Sequence, residues 1–275
     1  YGAAALLANA TNNYETLRDD WAHAEILSAQ SKSFFPAGYF TVRIEDEKGK
    51  IPLNKLVTDG TADGDRKAPL IQAMLRRLLL LPEFDLEEAR VVEIVDAIID
   101  WIDKNEDVTG RGAESSYYLS QALPYTAKNA PLDCIDELLM IKGITSELFA
   151  GTKEKPGLAQ FVTIYGTGAV NINTAPKMVL RALPAVMANN PVEITAEWAD
   201  QMDDYRRAKG NNLSSVDWYK KVPGMEGITI NPDLIEMQKS NFFKIYSTGV
   251  VDKMEQRLSG VIQRSPFAIV NWRQD

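Results

Sequence analysis

The sequence predicts an α+β protein with an N-terminal helix, an antiparallel sheet and a large, mainly α-helical domain inserted within that sheet. Three observations predict this class. The first residues show helical periodicity, a strand-like alternation follows near residue 40, and two further alternating segments lie at 242–251 and 254–265. Because the sequence between these strands is mostly helical in pattern, the first and last strands should pair across a long helical insertion.

Residues 3–33 are predicted to form one helix that Pro36 and Gly38 end. Its narrow apolar stripe has 4-3-4-3 spacing and consists of Ala10, Tyr14, Leu17, Trp21 and Ala24. The pattern starts without an N-cap and the chain opens with Tyr1 rather than Met. We therefore expect a trimmed or processed chain whose helix continues upstream.

The first strand is predicted where Phe40, Val42 and Ile44 alternate with polar residues. A loop follows at Asp59–Arg66, and Pro69 is placed at the start of the next helix. Asp85 and Glu88 resemble a capping box for a further helix, whose apolar face contains Val91, Val95, Ile98 and Ile102.

The remaining elements are shorter. The pattern favours helices near 134–141, 175–183, 195–209 and 214–221, and strands at 161–166, 169–173 and 266–272.

Composition limits the function. The chain has 275 residues, 45% of them hydrophobic and 25% charged, and its formal net charge is −8. The negative charge argues against a nucleic-acid phosphate backbone as partner and suits divalent cations better. A single cysteine, Cys134, excludes an intrachain disulfide and cysteine-rich zinc sites. No run of about 18–20 apolar residues occurs, so no segment present here is expected to span a bilayer.

The segment Asp100–Glu114 predicts a calcium loop. Oxygen-bearing side chains alternate along it and a late carboxylate closes a twelve-residue window, a spacing that lets successive oxygens point at one ion. The predicted ligands are Asp103, Asn105, Asp107, Thr109 and Glu114. The pattern departs from an EF-hand at Val108, where that motif has glycine. The alternative is a solvated acidic loop that merely ends a helix.

A second cation site is a weaker hypothesis, at Asp59, Asp63 and Asp65. The other alternating acidic residues are interpreted as solvated surface.

Catalytic patterns are scarce, so we predict that the chain is not an enzyme. The only histidine, His23, lies in the predicted N-terminal helix, and Cys134 is interpreted as a small buried group. No nucleophile elbow, phosphate-binding loop or dinucleotide-binding glycine pattern occurs.

Two segments, 137–144 and 218–228, place a helix before a glycine-containing turn, and 171–184 adds a third helical unit. Such pieces are similar to helix-hairpin-helix elements, which can present backbone amides to DNA phosphates. The same turns can simply pack helices together, and the negative charge favours that interpretation.

Four segments together resemble the type II secretion minor pseudopilin K family (GspK, general secretion pathway protein K). They are IEDEKGKIPLN, DWIDKNED with GAESSYY, KNAPLDCIDELLMIKGI and VNINTAPKMVLRAL, in that order. The resemblance implies a pilin-like core of residues 1–54 and 241–275, with a long N-terminal helix on an antiparallel sheet. It also implies an inserted α-domain, residues 55–240, with helix-hairpin-helix or SAM-like elements.

The resemblance further implies a place at the tip of a periplasmic pseudopilus, in complex with minor pseudopilins I and J. It implies calcium in the α-domain, at Asp103, Asn105, Asp107 and Glu114, and an inner-membrane anchor upstream of Tyr1. The function it predicts is non-enzymatic: capping the pseudopilus tip and nucleating its assembly. Two alternatives remain, the tip subunit of a type IV pilus and a helix-hairpin-helix DNA-binding module.

Overall fold

The computed structural model describes residues 6–7, 13–33, 35 and 37–274. The α-helices are α1 (Glu25–Ser31), α2 (Ala62–Leu79), α3 (Glu88–Ile102), α4 (Ser115–Leu119), α5 (Ser146–Ala150), α6 (Lys177–Ala182) and α7 (Ala196–Arg207). The 3₁₀ helices are Asp20–His23, Glu47–Gly49, Leu53–Lys55, Ile135–Met140, Leu158–Gln160 and Val216–Lys221.

The strands fall into one large sheet and three small ones. They are β1 (Tyr39–Asp46), β2 (Ile51–Pro52), β3 (Val162–Thr163), β4 (Val170–Asn171), β5 (Ala185–Met187), β6 (Asn190–Val192), β7 (Ile228–Ile230), β8 (Ile235–Glu236), β9 (Phe242–Val251), β10 (Met254–Gln263) and β11 (Ala268–Gln274). The large sheet is four-stranded and antiparallel in the order β1-β9-β10-β11. The prediction that the first and last strands share one sheet is therefore confirmed.

The residues between β1 and β9, here called the lobe (47–241), leave and re-enter the sheet at the same end. Asp46, the last residue of β1, pairs with Phe243 near the start of β9. Tyr39 pairs with Val250 at the opposite end, where Asp252 and Lys253 form the turn to β10. The bulk of the lobe therefore lies at one end of the strands.

Two hydrophobic clusters hold these parts. The smaller cluster lies on one face of the sheet, where Trp21 packs edge-on against Phe243 with ring centroids 5.3 Å apart. The larger cluster fills the lobe and extends from Ile51 through α2, α3 and α6 to Ile235. Since Ile51 and Leu53 already belong to the larger cluster, its core begins before residue 55. The domain division at 54/55 stays a prediction.

The prediction of one helix over residues 3–33 is wrong in the described part. Residues 13–19 are not helical, and the chain then forms the 3₁₀ helix Asp20–His23 and the short α1. Side chains compete with the helix here: the Thr16 amide donates to Asp19 Oδ2 (2.7 Å) and Trp21 Nε1 donates to Glu15 (2.9 Å). Ala10 and Pro36 lie outside the described residues.

Two helix boundaries also differ from the sequence prediction. Helix α2 begins at Ala62 rather than Pro69, because the Thr61 hydroxyl accepts from the Gly64 amide (3.0 Å) and caps the helix earlier. Pro69 lies inside this helix. The capping box at Asp85 and Glu88 is absent: the N-cap of α3 is Glu87, which makes no side-chain cap bond.

Asp85 itself has a positive φ of 52°, and its carboxylate pairs instead with Lys155 at 2.8 Å. Among the described residues, no helix is both long and apolar enough to cross a membrane.

Candidate metal centre

Helix α3 presents acidic side chains to the loop that follows it. Asp96, Asp100 and Asp103 are spaced four and three residues apart, which places them on one side of the helix and its C-cap. The loop folds back so closely that a Cβ at Gly110 would overlap the Asp96 carboxylate, and one at Gly112 would overlap that of Asp100. Gly110 and Gly112 therefore let the loop approach the helix.

Three carboxylates meet where the loop closes on the helix. Oxygens of Asp100, Asp103 and Glu114 all lie within 4.8 Å of one another, and this is the one such group of acidic, histidine or cysteine side chains in the described chain. Calcium–oxygen bonds are about 2.3–2.6 Å long, so two ligands of one ion can be roughly this far apart. The separation therefore fits a single ion shared by the three groups, called here the open cluster.

Several oxygens of the open cluster have no partner. Asp100 and Glu114 are at most 1% exposed, yet Asp100 Oδ2 and both Glu114 carboxylate oxygens accept no hydrogen bond. The neighbouring Asp96 is satisfied, because Arg76 and the Arg111 amide donate to it at 3.1 and 3.0 Å. Buried carboxylate oxygens without donors are costly, and a bound cation would remove that cost.

The pKa values of the open cluster also indicate that its negative charges lack a positive partner. Burial, together with the nearby carboxylates of Asp100, Asp103, Glu106 and Asp107, raises the pKa of Glu114 to about 8. Burial also raises the pKa of Asp100 and of Asp103 above the ordinary value. The site thus gathers negative charge that a divalent cation would neutralise.

Only some of the calcium ligands predicted from the sequence belong to the open cluster. Asp103 and Glu114 enter the open cluster, whereas Asp107 is exposed and lies outside it. Asn105 Oδ1 accepts from the Asp107 amide (2.7 Å), and the Thr109 amide donates to Asp100 Oδ1 (2.9 Å). Asn105, Asp107 and Thr109 as ligands stay predictions.

Sequence reasoning missed Asp100. The alternating pattern starts at Asp103, and Asp100 was counted as part of the helix. The available signal was its three-residue spacing from Asp103, which places both side chains on one helix face.

The donor set indicates which ion fits. All three residues offer oxygen, and hard cations such as Ca²⁺ and Mg²⁺ prefer oxygen, whereas zinc and copper favour nitrogen or sulfur. The bound cation would have a structural role, because it would link the loop to helix α3.

The second predicted cation site is not assembled. Asp59 accepts from the Thr61 amide (3.1 Å), Asp63 pairs with Lys67 (2.9 Å), and Asp65 accepts from the Thr58 hydroxyl. Each carboxylate therefore has a local partner, and the three do not form a group.

The glycine turn at Gly143 packs against the lobe. Its φ is 91°, its carbonyl accepts from Arg90 Nη2 (2.9 Å), and a Cβ there would lie 3.0 Å from Ile94. A turn held against α3 in this way supports the packing interpretation over the DNA-binding one.

Residues 49–165, which contain the open cluster, match the family model "Type II secretion system (T2SS), protein K". Over these residues the chain is similar to the type II secretion system protein K family. Among protein K relatives, that of Aeromonas hydrophila is 31% identical over 59% of this chain and 47% of the relative. That of Pseudomonas aeruginosa is 28% identical over 82% of this chain and 61% of the relative. The chain thus covers less than two thirds of either relative.

The fold also matches a solved structure. A chain of the crystal structure of the GspK-GspI-GspJ complex from the enterotoxigenic Escherichia coli type 2 secretion system superposes with a TM-score of 0.72. The match covers 99% of this chain and 91% of that chain at 20% sequence identity. At this identity the likeness shows a shared fold of helices and antiparallel strands.

Proposed function

We propose that this chain is the periplasmic part of a non-enzymatic minor pseudopilin that caps the tip of a type II secretion pseudopilus and nucleates its assembly. The match of residues 49–165 to the protein K family model and the similarity to protein K relatives support a role in type II secretion. The observation that carries the capping role is the position of the lobe, which occupies one end of the four-stranded sheet. A subunit stacking at that end would meet the lobe instead of the sheet.

A capping lobe must be held in place on the rest of the subunit, and several polar contacts link the lobe to the N-terminal segment and across its own two ends. Arg18, in the N-terminal segment, donates to the carbonyls of Arg206 and Asn211, both at 2.7 Å, at the end of α7 and just beyond it. Lys48 pairs with Glu236 at 3.1 Å, which joins the chain leaving the sheet to the chain returning to it. These contacts hold the lobe at the end of the sheet.

The partners proposed are the minor pseudopilins I and J, with other pseudopilins below them. The fold likeness to a chain of the GspK-GspI-GspJ complex supports this choice.

The test is assembly in solution. This chain and the periplasmic parts of pseudopilins I and J, mixed at micromolar concentration, should elute as one complex in size-exclusion chromatography. Minor pilins of a type IV pilus from the same organism, in place of I and J, should leave it monomeric. Failure to associate with I and J, or preference for the type IV subunits, contradicts the proposal.

We further propose that Ca²⁺ is the structural ion of the lobe, held by Asp100, Asp103 and Glu114. The unpartnered buried oxygens of Asp100 and Glu114 support it. The ion would supply positive charge in a loop region that has no disulfide, since the chain has one cysteine.

A further inference from the structure

A small cavity lies where the large sheet meets the lobe. Its volume is about 40 Å³, and its lining includes Lys244, Asn271 and Arg273 from the sheet and Lys50 and Cys134 from the lobe. A cavity needs roughly 10–15 Å³ to hold one water, so this space can accept a small polar group.

The charges around this cavity do not cancel. Lys50 pairs with Glu47 at 2.6 Å, and Arg273 pairs with Asp136. Lys244 has no carboxylate partner within the described part of the chain; its ammonium lies 5.2 Å from the ring centroid of Tyr246. Three cationic and two acidic side chains line the cavity. Glu45, outside the lining, also pairs with Lys50 at 3.0 Å but is itself paired with Arg43, so one positive charge is left over.

Burial and the like charges of Lys50 and Arg273 lower the pKa of Lys244, and the opposing effect of Glu47 and Glu45 does not offset them. The ammonium is thus partly removed from water and repelled by two neighbours. An anion next to it would relieve both penalties.

We infer that this cavity binds a small anion of the carboxylate or oxyanion class, held by the Lys244 ammonium and the Asn271 amide. The anion would bridge the sheet and the lobe, since its two partners belong to the sheet and the facing wall belongs to the lobe. This site is separate from the open cluster, and the inference does not depend on the proposed function.

Cys134 provides a direct readout, because it lines the cavity, is half-buried and is the only cysteine. The probe is the rate at which neutral iodoacetamide alkylates the folded protein. Sodium sulfate and sodium acetate are titrated against sodium chloride at constant ionic strength and pH. We expect each test anion to slow alkylation several-fold, with saturation.

Two variants and one control define the site. Lys244→Gln should abolish the protection, whereas Lys244→Arg should retain it because it keeps the charge. Lys253→Gln is the matched control: Lys253 is exposed in the turn between β9 and β10 and should leave the protection unchanged. General stabilisation by sulfate would protect all variants equally, so loss of protection in Lys244→Gln alone identifies binding at the site.

The outcomes separate a free ion from a protein carboxylate. Protection by sulfate or acetate alone assigns the site to a free anion. Protection that needs added pseudopilins I and J, and that Lys244→Gln removes, assigns it to a carboxylate of the partner. Absence of protection in all mixtures, or equal protection in the wild type and Lys244→Gln, overturns the inference.

Discussion

Two groups of buried carboxylates in this chain differ in how their charge is balanced. At the end of β1, Glu45 and Glu47 surround Lys50, whose ammonium lies 3.0 and 2.6 Å from them. Glu47 also accepts from Thr163 at 2.5 Å, and Glu45 from Tyr246 at 3.4 Å. We call this group the closed cluster. In the open cluster, by contrast, Glu114 accepts no hydrogen bond at all.

The pKa values follow the same division. Burial alone would raise the pKa of Glu45, but Lys50 and Arg43 hold it below its ordinary value. In the open cluster, burial and the neighbouring carboxylates together raise the pKa of Glu114 to about 8. Whether the chain supplies a cation therefore decides whether the pKa of an acidic group removed from water falls or rises.

The largest expected effect is the loss of the built-in cation. Lys50→Met leaves the buried Glu47 without its charge partner and Glu45 with Arg43 alone, which should lower the free energy of unfolding by about 3–5 kcal/mol. Urea denaturation measures it. Calcium should not restore the lost stability, because Glu45 and Glu47 do not form the three-carboxylate group found in the open cluster. A decrease in the free energy of unfolding below about 1 kcal/mol would contradict this prediction.

The next effect is removal of the external cation. EDTA should lower the melting temperature by about 5–10 °C relative to calcium at a hundred times its dissociation constant, and added calcium should restore it. Differential scanning calorimetry gives the shift. An unchanged melting temperature after calcium removal would contradict calcium binding at the open cluster.

A smaller effect is expected when single candidate calcium ligands are substituted, and its size should differ between Glu114 and Asp107. Glu114→Gln should abolish the calcium-induced shift, yet make the EDTA-treated protein about 1 kcal/mol more stable at pH 8, because one uncompensated charge is gone. Asp107→Asn, on the exposed loop, should reduce the calcium shift less than Glu114→Gln.

Glu193→Gln serves as the control for these variants, because Glu193 is exposed and far along the chain from the loop. If Asp107→Asn removed the calcium shift as completely as Glu114→Gln, the alternating ligand set predicted from the sequence would be preferred.

The smallest effect is a pH dependence of the calcium-free protein. The folded-state pKa of Glu114, about 8, lies above its ordinary value of 4.5, so its contribution to stability is present below about pH 4.5 and is lost as pH rises through 8. Asp46, buried and raised to a pKa of about 6, acts in the same direction at lower pH.

The melting temperature in EDTA should therefore fall between pH 6 and 8. The fall should be weaker in Glu114→Gln and in the presence of calcium. A melting temperature that rises over this range in EDTA would show that Glu114 already has a cationic partner.

Much of this protein could be predicted from residue patterns. Alternation located β1 and the hairpin of β9 and β10, because strand side chains alternate between faces whatever lies around them. Acidic spacing located the loop of the open cluster, and four short segments indicated the protein K family. These are local properties, which the order of residues expresses directly.

Other features depend on contacts between segments that are far apart in the sequence, which residue patterns do not reveal. The helix over 3–33 is interrupted where Glu15 reaches Trp21 and Arg264, and the latter is 249 positions away along the chain. Asp100 joined the open cluster only because Gly112 lets the loop close on α3.

By itself, then, the sequence determined the class of fold, the pairing of terminal strands and the position of an acidic loop. Only the tertiary structure decided which carboxylates obtain a cation from the chain and which do not. The physical reason is that charge compensation depends on distance and burial. Lys50 meets Glu47 three residues away, whereas the buried oxygens of Glu114 meet other carboxylates that folding brings together.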